Sequence, residues 1–254
     1  FHVVAQIVEA EFGVGAVGDV GAVAFPAFWI REAGHDAADA EPDAAVDLAH
    51  PFGVALGQVV IDGDDMDAAF DSFGKDDAIL EEMVDFAAEA SFLVARNATG
   101  EISHFPASLN HHRNGILTQS AAPAPLHDDI IAEGMNAVEK IAEALELFGL
   151  LALEAFVTVD GKLLFNEIAP RPHNSFHWTI EGCATSQFAQ LARLLAGMPL
   201  GATHICGNWQ MDNLLGEDMW KLTELFSSAG THVHLYGKAD AKTGRKMGHT
   251  NRLI

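Results

Sequence analysis

From residue 57 onward, apolar and polar positions fall into short, separable runs. GQVVI (57–61) reads as a strand, DGDDMDAAFDSFG (62–74) as a turn and short helix, and AILEEMV (78–84) as another strand. ASFLVARNATGEISHFPA (90–107) predicts two strands about a turn near Thr99-Gly100. In DDIIAEGMNAVEKIAEALELFG, apolar residues at 130, 131, 135, 138, 141, 145 and 148 have helical spacing, and Gly149 stands where that helix is expected to stop. LLALEAFVTVDGKLLFNEIA (150–169) carries the clearest hairpin pattern, with Asp160-Gly161 as a type I′ turn pair. SQFAQLARLLAG predicts an amphipathic helix with Ser186 as N-cap, ending near Gly197 and Pro199. The tail, THVHLYGKADAKTGRKMGHTNRLI, alternates like short strands joined by glycine turns. Helices mixed with antiparallel hairpins predict an α+β or mixed α/β fold.

Residues 1–56 read differently. They are dense in Ala, Val, Gly and Asp, contain no lysine, and show neither helical nor strand periodicity. AEFGVGAVGDVGAVAF (10–25) is glycine-rich but lacks the spacing of a phosphate-binding loop, and DAADAEPDAAVD (36–47) suggests a short acidic helix broken at Pro42. The first residue, Phe1, is the expected mark of a fragment or a processed start.

Composition narrows the classes. With 254 residues and 49% hydrophobic content, the chain can bury a sizeable core. No apolar run reaches the ~18–20 residues of a membrane helix. Cys183 and Cys206 are too few for a disulfide framework, so a reducing cytoplasm is the expected compartment. The net charge of −22 argues against nucleic-acid or anionic-membrane partners. Residues 1–85 hold 19 acidic side chains against Arg31 and Lys75, whereas six of the 14 basic residues lie in 221–254.

The hairpin places chemistry. If Asp160 and Gly161 form a two-residue loop, Glu154 and Glu167 face each other with Cβ atoms ~5 Å apart. Two such carboxylates repel unless a cation lies between them, and magnesium with substrate phosphates is the usual solution. A solvent-facing pair that tolerates the repulsion is the alternative; the apolar neighbours Leu153, Ala155 and Ile168 weigh against it. Beyond Glu167, Arg171 and His173 suit anion recognition, and Lys238, Arg245 and Lys246 form a second cationic set. His111 and His112 are adjacent on a predicted strand and point opposite ways, which disfavours joint metal binding. These residues together predict an enzyme acting on magnesium-nucleotide or a phosphorylated metabolite.

NEIAPRPHNSFHWTIEGCATSQFAQLARLLAGMPLG (166–201), MDNLLG (211–216) and HLYGKADAKTGRKMGH (234–249) resemble the 5-(carboxyamino)imidazole ribonucleotide synthase family of ATP-grasp ligases. ILEEMVDFAAEASFLVAR (79–96) and NHHRNGIL (110–117) extend the resemblance, which covers about residues 57–254. It implies an ATP-grasp domain over 57–200, a small β-rich C-terminal domain over 201–254, and an unassigned segment over 1–56. The implied reaction joins bicarbonate to 5-aminoimidazole ribonucleotide at the expense of ATP, in purine biosynthesis, with a homodimer as the expected assembly. It also implies that Glu154 and Glu167 hold Mg2+. Glu81, Glu82 and Val84 would line the adenine, Glu89 the ribose, and His112 and Asn166 the phosphates beside Glu167. Arg171, His173 and Asn174 are the expected catalytic groups. With Ser175, Lys238, Arg245 and Lys246, they would also hold the aminoimidazole nucleotide.

Three departures from the family pattern stand out. Phe176 replaces a glycine, so its ring is expected to crowd the site. Leu109 stands where a glutamate is usual. GVALGQ (53–58) replaces a glycine-rich loop that normally carries a lysine, and residues 1–56 are expected not to be native family sequence. The alternative is therefore a non-catalytic nucleotide-binding remnant. A formate-using purine ligase is disfavoured by the YGK and GRKMGH elements.

Overall fold

The computed structural model describes residues 84–254 continuously and, upstream of these, the strand segments 2–7, 48–49, 55–56, 58–62 and 78–82. Chain contacts divide it into two units, Phe1–Val84 and Asp85–Ile254.

In the first unit, β1 (His2–Ile7) is the centre of a three-stranded antiparallel sheet between β4 (Gln58–Asp62) and β5 (Ala78–Glu82). Two short strands, β2 (Leu48–Ala49) and β3 (Ala55–Leu56), pair separately. The predicted strands at 57–61 and 78–84 are present as β4 and β5. β1 was not legible as a strand, because HVVAQI does not alternate between polar and apolar residues. The helices suggested over 36–47 and 62–74 lie outside the described residues.

The second unit is built on a nine-stranded sheet whose described pairs are antiparallel. Its strands are β6 (Phe86–Arg96), β7 (Ile102–His104), β8 (Ser108–Arg113), β9 (Ile116–Ala122), β10 (Gly149–Thr158), β11 (Leu163–Ala169), β12 (Trp209–Leu215), β13 (Thr231–Leu235) and β14 (Lys246–Leu253). They run in the order β11-β10-β6-β8-β9-β12-β14-β13, with β7 alongside β6. The C-terminal strands therefore continue the same sheet, through β12 pairing with β9.

Period-two alternation gives this sheet two different apolar faces. On one, Phe92, Val94, Leu151 and Leu153 pack with Val138 and Ala142 of α1 (Asp128–Ala144). Gly134 lets that helix lie close, since a Cβ there would stand 2.2 Å from Phe92 Cζ. The opposite face carries Leu93, Ala95, Leu150 and Ala152, covered by Phe176, Trp178 and Leu194. Those covering residues come from a 3₁₀ turn (Asn174–Phe176), the short α2 (Thr179–Gly182) and α3 (Gln187–Leu195). A further 3₁₀ turn (Gly216–Lys221) and α4 (Leu222–Ser227) lead into β13.

Several expectations hold. Ser186 caps α3 by accepting from the Ala189 N–H, and Gly197 follows at φ +66. Others are corrected. α1 ends at Ala144, not at Gly149: Glu146 adopts φ 48 and the Leu147 N–H closes back on Ala142 O, a Schellman-type stop. Leu145 and Phe148, counted in the apolar stripe, are consequently exposed. The β10–β11 turn is not type I′ either. The Thr158 N–H bonds Lys162 O and Gly161 alone of the loop has positive φ, leaving three loop residues, Val159, Asp160 and Gly161.

Candidate functional site

A three-residue loop shifts the hairpin register by one, pairing Ala155 with Phe165. One residue further from the turn, the register shifts back. Asn166 is the additional residue of a β-bulge, and Glu154 is paired with Glu167 as predicted. The two departures cancel, so the carboxylates oppose each other for a reason that the two-residue turn did not supply.

His173 reaches this pair from the loop after β11. Its Nδ1 lies 3.6 Å from Glu154 Oε1 and its Nε2 3.7 Å from Glu167 Oε1. One ligand atom from each of the three lies within 4.8 Å of the others. Ser175 Oγ holds His173 Nδ1 at 2.8 Å. The His173 backbone is fixed from below by Gln187, whose Oε1 accepts its N–H at 2.8 Å and whose Nε2 donates to its carbonyl at 2.8 Å.

The carboxylates differ electrostatically. Burial pushes Glu154 above its ordinary range; His173 opposes the shift and Glu167 adds to it. Burial also penalises Glu167, but the His173 hydrogen bond and the charges of His173 and Arg171 outweigh it and hold that group low. Lys246 adds positive charge at the same place. Its ammonium is pushed down to about 8, chiefly by burial, with Glu154 opposing the shift. At neutral pH it therefore remains mostly protonated.

His112 also interacts electrostatically with Glu154 and Lys246. His112 Nδ1 lies 2.9 Å from Glu89 Oε2, which ties the two together, while His111 is exposed. Asn174 and Asn213 exchange side-chain hydrogen bonds of 3.0 and 2.7 Å. The exposed Lys238 lies over the Tyr236 ring, 5.8 Å from its centroid, and Arg245 Nη1 donates to Asp240 O. Glu81 and Glu82 lie on β5, with Val84 just beyond it, in the first unit. Phe176 is fully buried in the core cluster, 6.2 Å from Trp178 between ring centroids. The expectation that its ring crowds the site is thereby corrected: the ring belongs to the buried core cluster that also holds Leu93 and Trp178.

Some participants were missed. Ser91 is a lone polar residue in an apolar strand, and Gln187 and Asn213, although inside the SQFAQLARLLAG and MDNLLG segments, carried no signal of the partners they would reach. His177, His234 and His249 form a cluster with Tyr236, including a stacked His234–His249 pair 4.6 Å apart. The recurrence of histidine in HNSFH, HVH and MGH was the available hint.

Two opposed carboxylates on neighbouring antiparallel strands, beside a cationic lysine and arginine, suit a hard cation carrying phosphates. The ATP-grasp domain family matches residues 56–188. The chain belongs to the ATP-grasp family. Residues 210–253 match the phosphoribosylaminoimidazole carboxylase C-terminal domain. Among curated proteins, the N5-carboxyaminoimidazole ribonucleotide synthase of Brucella melitensis is 43% identical over 185 residues, spanning 73% of this chain and 51% of that protein. The Bacillus subtilis protein of the same name is 47% identical over 175 residues, spanning 67% of this chain and 45% of its relative. A crystal structure of an N5-carboxyaminoimidazole ribonucleotide synthetase with ADP superimposes with a TM-score of 0.74 at 42% identity, over 78% of this chain and 53% of that one. The Aspergillus clavatus enzyme, crystallised with ADP and 5-aminoimidazole ribonucleotide, gives 0.73 at 28% identity, over 78% and 55%. The chain spans about half the length of the curated relatives it matches.

Proposed function

We propose that this ATP-grasp chain belongs to an enzyme that carboxylates 5-aminoimidazole ribonucleotide with bicarbonate, converting ATP to ADP and phosphate. The observation that carries this reading is the Glu154–Glu167–His173 group, set within segments similar to the synthases on both sides of it. Its oxygen donors fit Mg2+, which Glu154 and Glu167 would hold and which, when bound, would neutralise phosphate charge during phosphoryl transfer.

Residues of the chain supply the rest. Glu89 and His112 would face the nucleotide, with Asn166 at the phosphates. Arg171, His173, Asn174 and Ser175 would orient the second substrate beside the phosphoryl group. Lys246, with Lys238 and Arg245, would offer cations to its phosphate. Holding amine and activated carboxyl group together lowers the entropic part of the barrier. A homodimer in the cytoplasm, with domains over 57–200 and 201–254, completes the proposal. No helix among the described residues is long and apolar enough to cross a membrane.

A second reading, a non-catalytic nucleotide-binding remnant, is favoured by one observation: no lysine precedes Lys75. ATP hydrolysis with Mg2+, measured with and without the aminoimidazole nucleotide and bicarbonate, separates the two. Hydrolysis stimulated by both substrates is expected of the enzyme, and none is expected of the remnant.

A further inference from the structure

A line of buried polar side chains runs across four adjacent strands and ends at Glu154. Ser120 of β9 donates through Oγ to Asn110 Oδ1 at 2.9 Å. Asn110 of β8 donates through Nδ2 to Ser91 Oγ at 2.6 Å. Ser91 of β6 donates through Oγ to Glu154 Oε1, on β10, at 3.2 Å. The strand register builds this line, since Ser120 pairs with Asn110 and Ser91 with Glu154. Ser120 and Ser91 are fully buried, and Asn110 is 3% exposed.

Burying three polar side chains beside an apolar core is costly unless each is satisfied, and here each link satisfies the next. The line also has a direction. A carboxylate can only accept, so the Ser91 O–H must donate to Glu154. Ser91 Oγ is then left to accept, which the Asn110 amide meets, and Asn110 Oδ1 in turn accepts from Ser120. Such a chain holds the Glu154 carboxylate in one rotation, fixing Oε1 where it also lies 3.6 Å from His173 Nδ1.

We propose that Ser91 and Asn110 are positioning residues that orient Glu154 for a divalent cation. This rests on the reading of Glu154 and Glu167 as the cation's ligands. Hydrogen-bonded support of a ligating carboxylate typically changes metal affinity by about 10- to 100-fold.

The test is Mn2+ titration of the full chain with a non-hydrolysable ATP analogue, followed by the electron spin resonance signal of free Mn2+, with melting temperature measured in parallel. Ser91→Ala is expected to weaken Mn2+ binding about tenfold. Asn110→Leu is expected to weaken it less, and to add nothing in the Ser91→Ala background, because the last link is already gone. Purely structural residues would lower the melting temperature and leave Mn2+ affinity unchanged; that outcome, or additive losses in the double variant, overturns the relay. If Asn110→Leu fails to fold, Ser91→Ala alone decides. Absence of Mn2+ binding by the unaltered chain overturns the metal reading itself. Binding lost in Glu167→Gln but undiminished in Ser91→Ala overturns only the relay.

Discussion

Glu154 and Glu167 stand directly opposite each other across β10 and β11, although the hairpin between them closes one residue out of step with that pairing. The bulge at Asn166 restores the register. Bulges re-aim side chains, and this one returns a carboxylate to the face of the sheet where His173 and Lys246 converge.

Removing the charge of one member tests the cation site directly. Glu167→Gln keeps the shape of the side chain while deleting a charged ligand, so Mg2+-dependent nucleotide affinity is expected to fall at least about tenfold with the fold intact. Isothermal titration with Mg2+ and a non-hydrolysable ATP analogue measures this. Unchanged affinity would show that the carboxylate pair holds no cation.

Phe176 is a core residue, so returning it to the family's glycine is expected to hurt. Truncating a fully buried phenylalanine typically costs about 3–5 kcal/mol, and glycine adds backbone freedom to that loss. Urea denaturation of Phe176→Gly measures the effect. A variant as stable as the parent would place the ring outside the core.

Gln187 is fully buried and clamps both backbone groups of His173. Gln187→Met conserves volume but leaves the buried His173 N–H without a partner, while the His173 C=O keeps the Phe176 N–H. A loss of about 1–3 kcal/mol is expected, the cost of one unsatisfied buried donor. Thermal denaturation followed by circular dichroism checks it, and a melting temperature equal to the parent's would refute the clamp.

Acid should weaken the seam between residues 174–182 and the C-terminal strands. Burial holds His249 down at about 3 and His177 well below 6.5, with His234 adding to the first and His249, His173, Lys246 and His234 to the second. Both are neutral in the folded chain and titrate near 6.5 when unfolded. Their contribution is therefore complete above about pH 6.5 and is lost progressively as pH falls toward 3. Each group contributes a slope of up to about 1.4 kcal/mol per pH unit. Denaturation midpoints between pH 7 and 4 test this, and replacing His249 with Gln should flatten the decline.

Local order was largely legible. Helical spacing in α1, the Ser186 cap of α3, the hairpin over 150–169 and the strands of the tail all follow from residues close in sequence, because periodicity and capping are local effects. The opposition of Glu154 and Glu167 was legible too, although by way of a turn that the chain does not make. Where α1 stops was not: Glu146, rather than Gly149, takes the left-handed conformation, and nothing in its side chain announces that. Tertiary structure alone decided that β12 joins β9, that Gln187 reaches His173, and that Ser120, Asn110 and Ser91 line up on Glu154. Those residues are brought together by strand pairing across long stretches of chain, and a polar side chain finds its partner only once that pairing has set which neighbours share its face.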